Sequence, residues 1–233
     1  MQAETLLLLP GMMCDSRLFA PQQAYFRDDI TIITPAIPNR SSLAEMAEII
    51  LADAPASFAL GGLSMGGILA MEIMAQASHR VSHLALFNTN PFAERNETKQ
   101  SRLPQMDKVA NGGLEALMRD EIIPRYFSAH ADKEHLSTLC LAMALGCGPD
   151  AFLAQSIALR DRADYADLLR SVRCPAAIIG AEEDILCPPE RHHAMAELLP
   201  HAGLHILAKT GHLSTLEQPD NVNQILSDLL TIS

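Results

Sequence analysis

The chain has 233 residues, 48% of them hydrophobic, and carries 17 lysines and arginines against 28 aspartates and glutamates, a formal net charge of −11. That length suits one domain, or one domain with an insertion, around a substantial core. The acidity repels phosphate backbones and anionic lipid, which excludes nucleic acid and membrane surfaces as expected partners.

No apolar run reaches the length of a membrane span. The leading "MQAETLLLLPG" lacks the basic region and the long apolar stretch of a signal peptide. The five cysteines (Cys14, Cys140, Cys147, Cys174 and Cys187) are odd in number and contain no C-x-x-C pair. Reduced thiols in a cytoplasm are therefore expected rather than a disulfide frame.

Short apolar runs recur along the first part of the chain: "TLLLL" (5–9), "ITIIT" (30–34), "SFALGG" (57–62) and "VSHLALF" (81–87). Each is strand-length and apolar almost throughout, as in a parallel sheet covered on both faces. Their spacing of about 25 residues leaves room for a crossover helix between successive strands. In "SSLAEMAEIILADAP", Ser42 and Glu45 form a capping-box pattern, and Leu43, Met46, Ala47 and Ile50 share one face. In "MGGILAMEIMAQA", Ile68, Leu69, Met71, Met74 and Ala75 give a helix an apolar surface on several sides. After Phe87 the cadence breaks. From 91 to 170 the periodicity is helical ("GLEALMRDEII", "EHLSTLCLAMAL", "DAFLAQSIALR"). Strand-like runs then resume at "PAAIIGA" (175–181) and "GLHILA" (203–208), before a last helix "PDNVNQILSDLL". The simplest organisation is an α/β core, 1–90 and 171–233, with a helical insertion at 91–170.

Gly62-Leu63-Ser64-Met65-Gly66 matches G-x-S-x-G, a serine on a sharp strand-to-helix turn. Glycines around the serine remove Cβ atoms that would clash, and the helix that follows aims free N–H groups at the hydroxyl. A serine nucleophile needs a base and a group that orients the base. Asp184 stands just past the run at 175–181, and His212, after Gly211, just past the last one. The order serine, acid, histidine, each at a strand end, is the joint signal.

These residues resemble the α/β-hydrolase superfamily, in the branch of small bacterial esterase-like and lactonase-like proteins with a helical cap. The likeness runs through "LLLLPGMMCDSRLF", "LGGLSMGG", "EEDILCPP" and "TGHLSTLEQP" and fades in the cap. It implies a doubly wound, mostly parallel six-stranded sheet, with the first strand beside the third and the second outside it. The chain starts at the family's third strand, so the leading hairpin is absent and every strand should run parallel. The resemblance makes Ser64 the nucleophile, Asp184 the orienting acid and His212 the general base. It implies an oxyanion hole from the backbone N–H groups of Met12 and Met65; beside it in the chain, Gly11, Met13 and Cys14 are candidate pocket residues. Two positions depart from the family pattern. Pro10 replaces the usual histidine of the oxyanion loop, and Ala181 replaces the glycine three positions before the acid, which leaves Glu182 and Glu183 as lesser acid candidates.

Other polar features read as packing or surface. His192-His193 and the pairs His79/His83 and His201/His205 lack a cysteine or carboxylate that would complete a metal site. Cys14 reads as a small buried filler beside the oxyanion loop, and Met12, Met13 and Met65 as apolar pocket walls. "RDRADYADLLR" reads as a solvated helical face closing the cap. The cap shows no evident arginine cluster for a carboxylate, although Arg119, Arg125 and Arg160 are available. The expected activity is hydrolysis of a small, fairly apolar carboxylic ester or lactone through an acyl-enzyme, with no metal or organic cofactor. C–C bond hydrolysis, thioester cleavage, perhydrolysis or ligand binding without turnover would use the same scaffold. The oligomeric state stays open.

Overall fold

The structure is a computed structural model that describes residues 5–231. Thr5–Leu9 (β1) forms because four consecutive leucines can be buried on both faces of a sheet. Leu6 and Leu8 enter one core cluster, and Leu7 and Leu9 enter the other. Each leucine removed from water contributes about 1.5–3 kcal/mol.

The core elements then follow in order: Ala20–Phe26 (α1), Thr31–Ile33 (β2), Leu43–Asp53 (α2), Phe58–Leu63 (β3), Met65–Ala77 (α3) and Val81–Phe87 (β4). After the insertion come Ala176–Ala181, Pro189–Leu198, Gly203–Leu207, Ser214–Glu217 and Pro219–Leu230. The six strands lie in the order 2-1-3-4-5-6 and pair in parallel throughout. β1 thus sits beside β3 with β2 outside it, as the resemblance implied, and the chain reverses its winding direction at β1. Ligands of open α/β sheets bind at such a switch point, beyond the carboxyl ends of the strands.

Some boundaries differ from the sequence reading. β2 keeps three of the five residues read as strand, because it is an edge strand that pairs only with Thr5–Leu7 of β1. β3 runs one residue further, to Leu63, directly against the serine turn. The α2 capping box is half formed. Ser42 Oγ accepts from the Glu45 N–H at 3.4 Å, while the Glu45 carboxylate lies 4.0 Å from Arg40. On α3, Ala75 is exposed, and Ala70 and Ile73 complete the buried surface.

Between β4 and the fifth strand every described element is helical. Asn96–Ala110 (α4) precedes Leu114–Leu117 (α5), a π-helical turn at Met118–Ile122 and a 3-10 turn at Ile123–Arg125. Lys133–Arg160 (α6) and Ala166–Ser171 (α7) follow, so that the fifth strand (β5) and Pro189–Leu198 (α8) come next, then the sixth strand (β6), Ser214–Glu217 (α9) and Pro219–Leu230 (α10). α4 escaped the periodicity reading because it carries one buried residue, Val109, and an internal Pro104. The insertion does not stand apart from the core. Leu114, Leu117, Met118, Phe127, Met143 and Phe152 join the same cluster as Phe19 of the first loop and Leu226 of α10.

α6 has a window of mean hydropathy 1.5 and would by length and composition cross a membrane, a feature the run-length reading passed over. It is not one straight helix. Gly148 takes φ +83° and Pro149 follows, so two helices meet at a kink, and Cys140, Met143, Ala144 and Phe152 pack inward. Nor is "RDRADYADLLR" a solvated face. α6 ends at Arg160, Tyr165 and Leu169 are buried, and the Tyr165 hydroxyl donates to Glu72 at 2.6 Å.

His192, on α8, is fully buried against Gly180 of β5, where an added Cβ would lie 2.6 Å from its ring. Its Nδ1 lies 3.3 Å from the Pro188 carbonyl, and its Nε2 has no partner among the described residues. Burial pulls its pKa down from the ordinary 6.5 to about 4. Between those values the unfolded chain binds a proton that the native protein refuses, so stability rises with pH across that window. As pH falls from 6.5 to 4, wild type is expected to lose about 3 kcal/mol of unfolding free energy through this group. Urea denaturation at a series of pH values should give a flatter profile for His192→Leu; equal slopes would refute the assignment.

Candidate active site

Ser64 sits where β3 meets α3, with φ 57° and ψ −115°. That conformation is costly for a residue with a Cβ, of order 1–3 kcal/mol. Its backbone is held on both sides. The Ser64 N–H donates to Phe87 O at 2.9 Å, and its carbonyl accepts from Thr89 Oγ1 at 2.7 Å and from the Gly67 and Ile68 N–H groups. The flanking glycines are steric necessities. A Cβ on Gly62 would lie 2.1 Å from Gly66 O, and one on Gly66 would lie 1.9 Å from Leu9 O.

Two side chains from more than a hundred residues further along the chain meet Ser64 at this turn. His212 Nε2 lies 2.9 Å from Ser64 Oγ, and its Nδ1 lies 2.8 Å from Asp184 Oδ2. Asp184 is buried, with every acceptor position engaged. Oδ2 also accepts from Asn88 Nδ2 at 3.0 Å, and Oδ1 accepts from the Leu186 and Cys187 N–H groups at 2.9 Å each. Burial alone would raise its pKa, but His212 and these donors outweigh it and hold the carboxyl below its usual value. An ionised Asp184 only accepts, so Nδ1 of His212 carries the hydrogen, and the neutral ring offers Nε2 as acceptor to the serine hydroxyl. Glu182 accepts from the Lys209 N–H and Glu183 from the Ala129 N–H, so neither lesser acid candidate bonds to His212.

Met12 and Met65 lie beside Ser64 in the cavity lining, and neither backbone N–H donates to another group among the described residues. The cavity measures about 340 Å³. Gly11 and Cys14 line it, whereas Met13 does not. Met13 takes φ 59°, its side chain joins the core, and its N–H donates to Gln155 Oε1 of α6 at 2.9 Å. Gln155 therefore ties the loop after β1 to α6, a role invisible in the sequence because its partner is 142 residues away. Cys14 is a buried filler with its thiol pushed up by desolvation.

The arginine expectation needs correction. Arg119 pairs with Glu115 and Asp120 on the surface, and Arg160 pairs with Asp161. Arg125 does line the cavity, together with Arg95, Arg102, Arg162 and Arg191. Arg102 and Arg162 both grip Glu94, with Arg162 Nη1 at 2.6 Å. Burial pushes the Glu94 pKa up, but the two guanidiniums outweigh it and leave the carboxyl below its usual value.

Asp184, Cys187 and His212 form the one cluster of metal-ligand types among the described residues. Both ring nitrogens of His212 are already committed, and burial raises the Cys187 thiol to about 12, so it is protonated rather than a thiolate ligand.

The alpha/beta hydrolase family model matches residues 6–225. The chain belongs to the α/β-hydrolase family. A pimeloyl-[acyl-carrier protein] methyl ester esterase of Aromatoleum aromaticum is 24% identical, over 99% of each chain. A putative carbamate hydrolase RutD of Yersinia enterocolitica is 26% identical, over 98% of this chain and 87% of its own. Among solved structures, a malate-bound thermophilic esterase from Thermogutta terrifontis superposes with TM-score 0.89 at 25% identity, covering 98% of this chain and 90% of its own. The enol-lactonase from Burkholderia xenovorans LB400 gives TM-score 0.89 at 21% identity, covering 100% and 93%, and shares the fold.

In this hydrolase the loop carrying His212 is fastened to the insertion. The His212 N–H donates to Tyr126 O at 2.6 Å, the Tyr126 ring stacks on the imidazole at 5.9 Å, and Gly211 has no room for a side chain against Tyr126 O. Glu217 of α9 accepts from the Gly211 N–H at 3.1 Å and from the Ser128 N–H at 3.1 Å. Glu217→Ala would leave both donors without a partner and is expected to lower unfolding free energy by about 2 kcal/mol. Urea denaturation at neutral pH checks this, and an unchanged midpoint would show that the clamp contributes nothing.

Proposed function

We propose that this protein is a serine hydrolase that cleaves a small carboxylic ester or lactone through an acyl-enzyme. The observation that carries the reading is the continuous hydrogen-bonded relay Ser64–His212–Asp184 opening onto the cavity. Ser64 Oγ attacks the substrate carbonyl as His212 Nε2 takes the hydroxyl proton. The imidazolium that results is stabilised by Asp184, which also fixes the tautomer beforehand. The oxyanion is received by the N–H groups of Met12 and Met65, the latter at the N-terminus of α3, where the helix dipole favours negative charge. Collapse expels the alcohol, protonated by His212. Water then attacks the acyl-enzyme with His212 again as base.

The apolar part of the cavity, from Leu63, Ile68, Phe152 and Leu159, suits a hydrocarbon acyl portion. The insertion, proposed as a cap spanning 91–170, supplies two of these residues, Phe152 and Leu159, and so bears on substrate choice. Relatives named as a methyl ester esterase and a thermophilic esterase support ester chemistry over C–C cleavage. The free state of all five cysteines suits a reducing cytoplasm.

Fluorophosphonate labelling read by intact mass tests the nucleophile: one adduct is expected on wild type and none on Ser64→Ala. With 4-nitrophenyl esters, Ser64→Ala should lose several orders of magnitude in kcat, and Asp184→Asn about 10⁴-fold, while both keep the wild-type circular dichroism. Retained turnover in a folded Ser64→Ala protein would refute the mechanism.

A further inference from the structure

The cavity beside Ser64 is cationic, although the chain as a whole carries −11. Five arginines line it, and Glu94 is the one carboxylate among the lining residues. Arg102 and Arg162 share that carboxylate, and the three side chains are only 14%, 6% and 3% exposed. Two guanidiniums on one carboxylate leave a net positive charge in a place largely removed from water. An uncompensated charge there is expensive, and it is strongly attractive to an incoming anion.

The guanidiniums are not exhausted by their partners. Arg162 spends Nε on Phe92 O and Nη1 on Glu94 and Leu159 O, and its Nη2 has no partner among the described residues. Arg102 Nη1 reaches only Met12 Sδ, at 3.9 Å, which brings this guanidinium alongside the residue proposed for the oxyanion hole. Arg191, at the start of α8, forms no side-chain hydrogen bond or ion pair among the described residues and lines the same cavity. Arg162 and Cys187 line that cavity as well, and Cys187 sits next to Asp184. Three donors, from α4, from the segment after α6 and from α8, thus line the cavity that Ser64 also lines.

We infer that this cavity is built for a substrate that carries a carboxylate remote from its scissile bond, seated by Arg102, Arg162 and Arg191. A guanidinium fork matches a carboxylate in shape and charge, which fixes orientation as well as affinity. The preferred substrates are then hemiesters of small dicarboxylic acids, or lactones bearing an acid group, with the chain between the two functions lying on the apolar wall. The inference rests on the serine-hydrolase reading of the same site.

The test compares 4-nitrophenyl hydrogen glutarate with 4-nitrophenyl pentanoate, two esters of equal chain length that differ in the terminal carboxylate. Wild type is expected to favour the glutarate in kcat/KM by about tenfold or more, with the preference shrinking at high salt. Arg191→Gln should reduce that ratio by about tenfold, and Arg191→Lys by less. Arg191 is chosen because its loss strands no buried carboxylate, unlike loss of Arg102 or Arg162. A ratio near one in wild type, or one unmoved in Arg191→Gln, would overturn the inference. A second arm needs no turnover. Free glutarate should raise the Tm of wild type, and of Ser64→Ala, above any effect of neutral glutaramide, and should do so less in Arg191→Gln. Equal shifts from the acid and the amide would also overturn it. Failure of the nucleophile appears instead as turnover surviving Ser64→Ala, whatever the charge preference.

Discussion

The structure depends on how closely β1, β3 and α3 approach one another at Ser64. Leu9 O would lie 1.9 Å from any Cβ at position 66, and Gly66 O would lie 2.1 Å from one at position 62. These gaps admit hydrogen atoms and nothing larger. With backbones this close, the chain can turn from strand to helix within a single residue, at the cost of a positive φ at Ser64. The strain is offset by bonds that converge on that one residue, from Phe87 and Thr89 at the end of β4 and from the first turn of α3. The same approach carries the loop after β1 to the mouth of the turn, so that Met12 and Met65 come to line one cavity. A larger separation of β1 from α3 would relieve the glycines and disperse the site.

How much of this was legible in the sequence follows from the same geometry. Leu6–Leu9 and Ala176–Ala181 are buried on both faces, so unbroken apolar runs gave the strands, and the G-x-S-x-G glycines mark a contact that only hydrogen can fill. Asp184 and His212 were legible because strand ends in a doubly wound sheet gather along one edge. What could not be read depends on partners far along the chain. Gln155 holds Met13 across 142 residues, and the positive φ at Met13 turned a presumed cavity wall into core. α4 gave no periodic signal because it buries almost nothing, yet it supplies Arg102. "RDRADYADLLR" has the composition of an exposed helix, but Arg162 is covered by Glu94 and Tyr165 by Glu72. Composition records what a side chain carries and not what it meets.

The insertion is bound to the loops beside Ser64 as well as to the core. Its segment 126–128 accepts the His212 N–H, stacks a ring on the imidazole and shares Glu217 with Gly211. Its α6 anchors the loop after β1 through Gln155. Both loops that flank Ser64 are therefore positioned by residues between β4 and β5. If the insertion selects the substrate as proposed, substrate choice and the alignment of His212 are properties of the same segment. Tyr126 belongs to both, lining the cavity and holding the His212 N–H.

Charge divides the site along the same lines. Asp184 is ionised because hydrogen-bond donors and His212 outweigh its burial, and in the proposed mechanism it balances the imidazolium formed during proton transfer. Glu94 is ionised because two arginines outweigh its burial, but it balances only one of them. The first pair is closed: every acceptor on Asp184 is filled, and its charge is spent on a neighbour. The second is open by one unit of positive charge, and the unpaired Arg191 widens the excess. Burial of an ionic group is tolerated where partners and hydrogen bonds engage it fully. Around Asp184 the protein's own donors fill every acceptor position, whereas around Glu94 the missing negative charge is, in the inference above, left to come from the substrate.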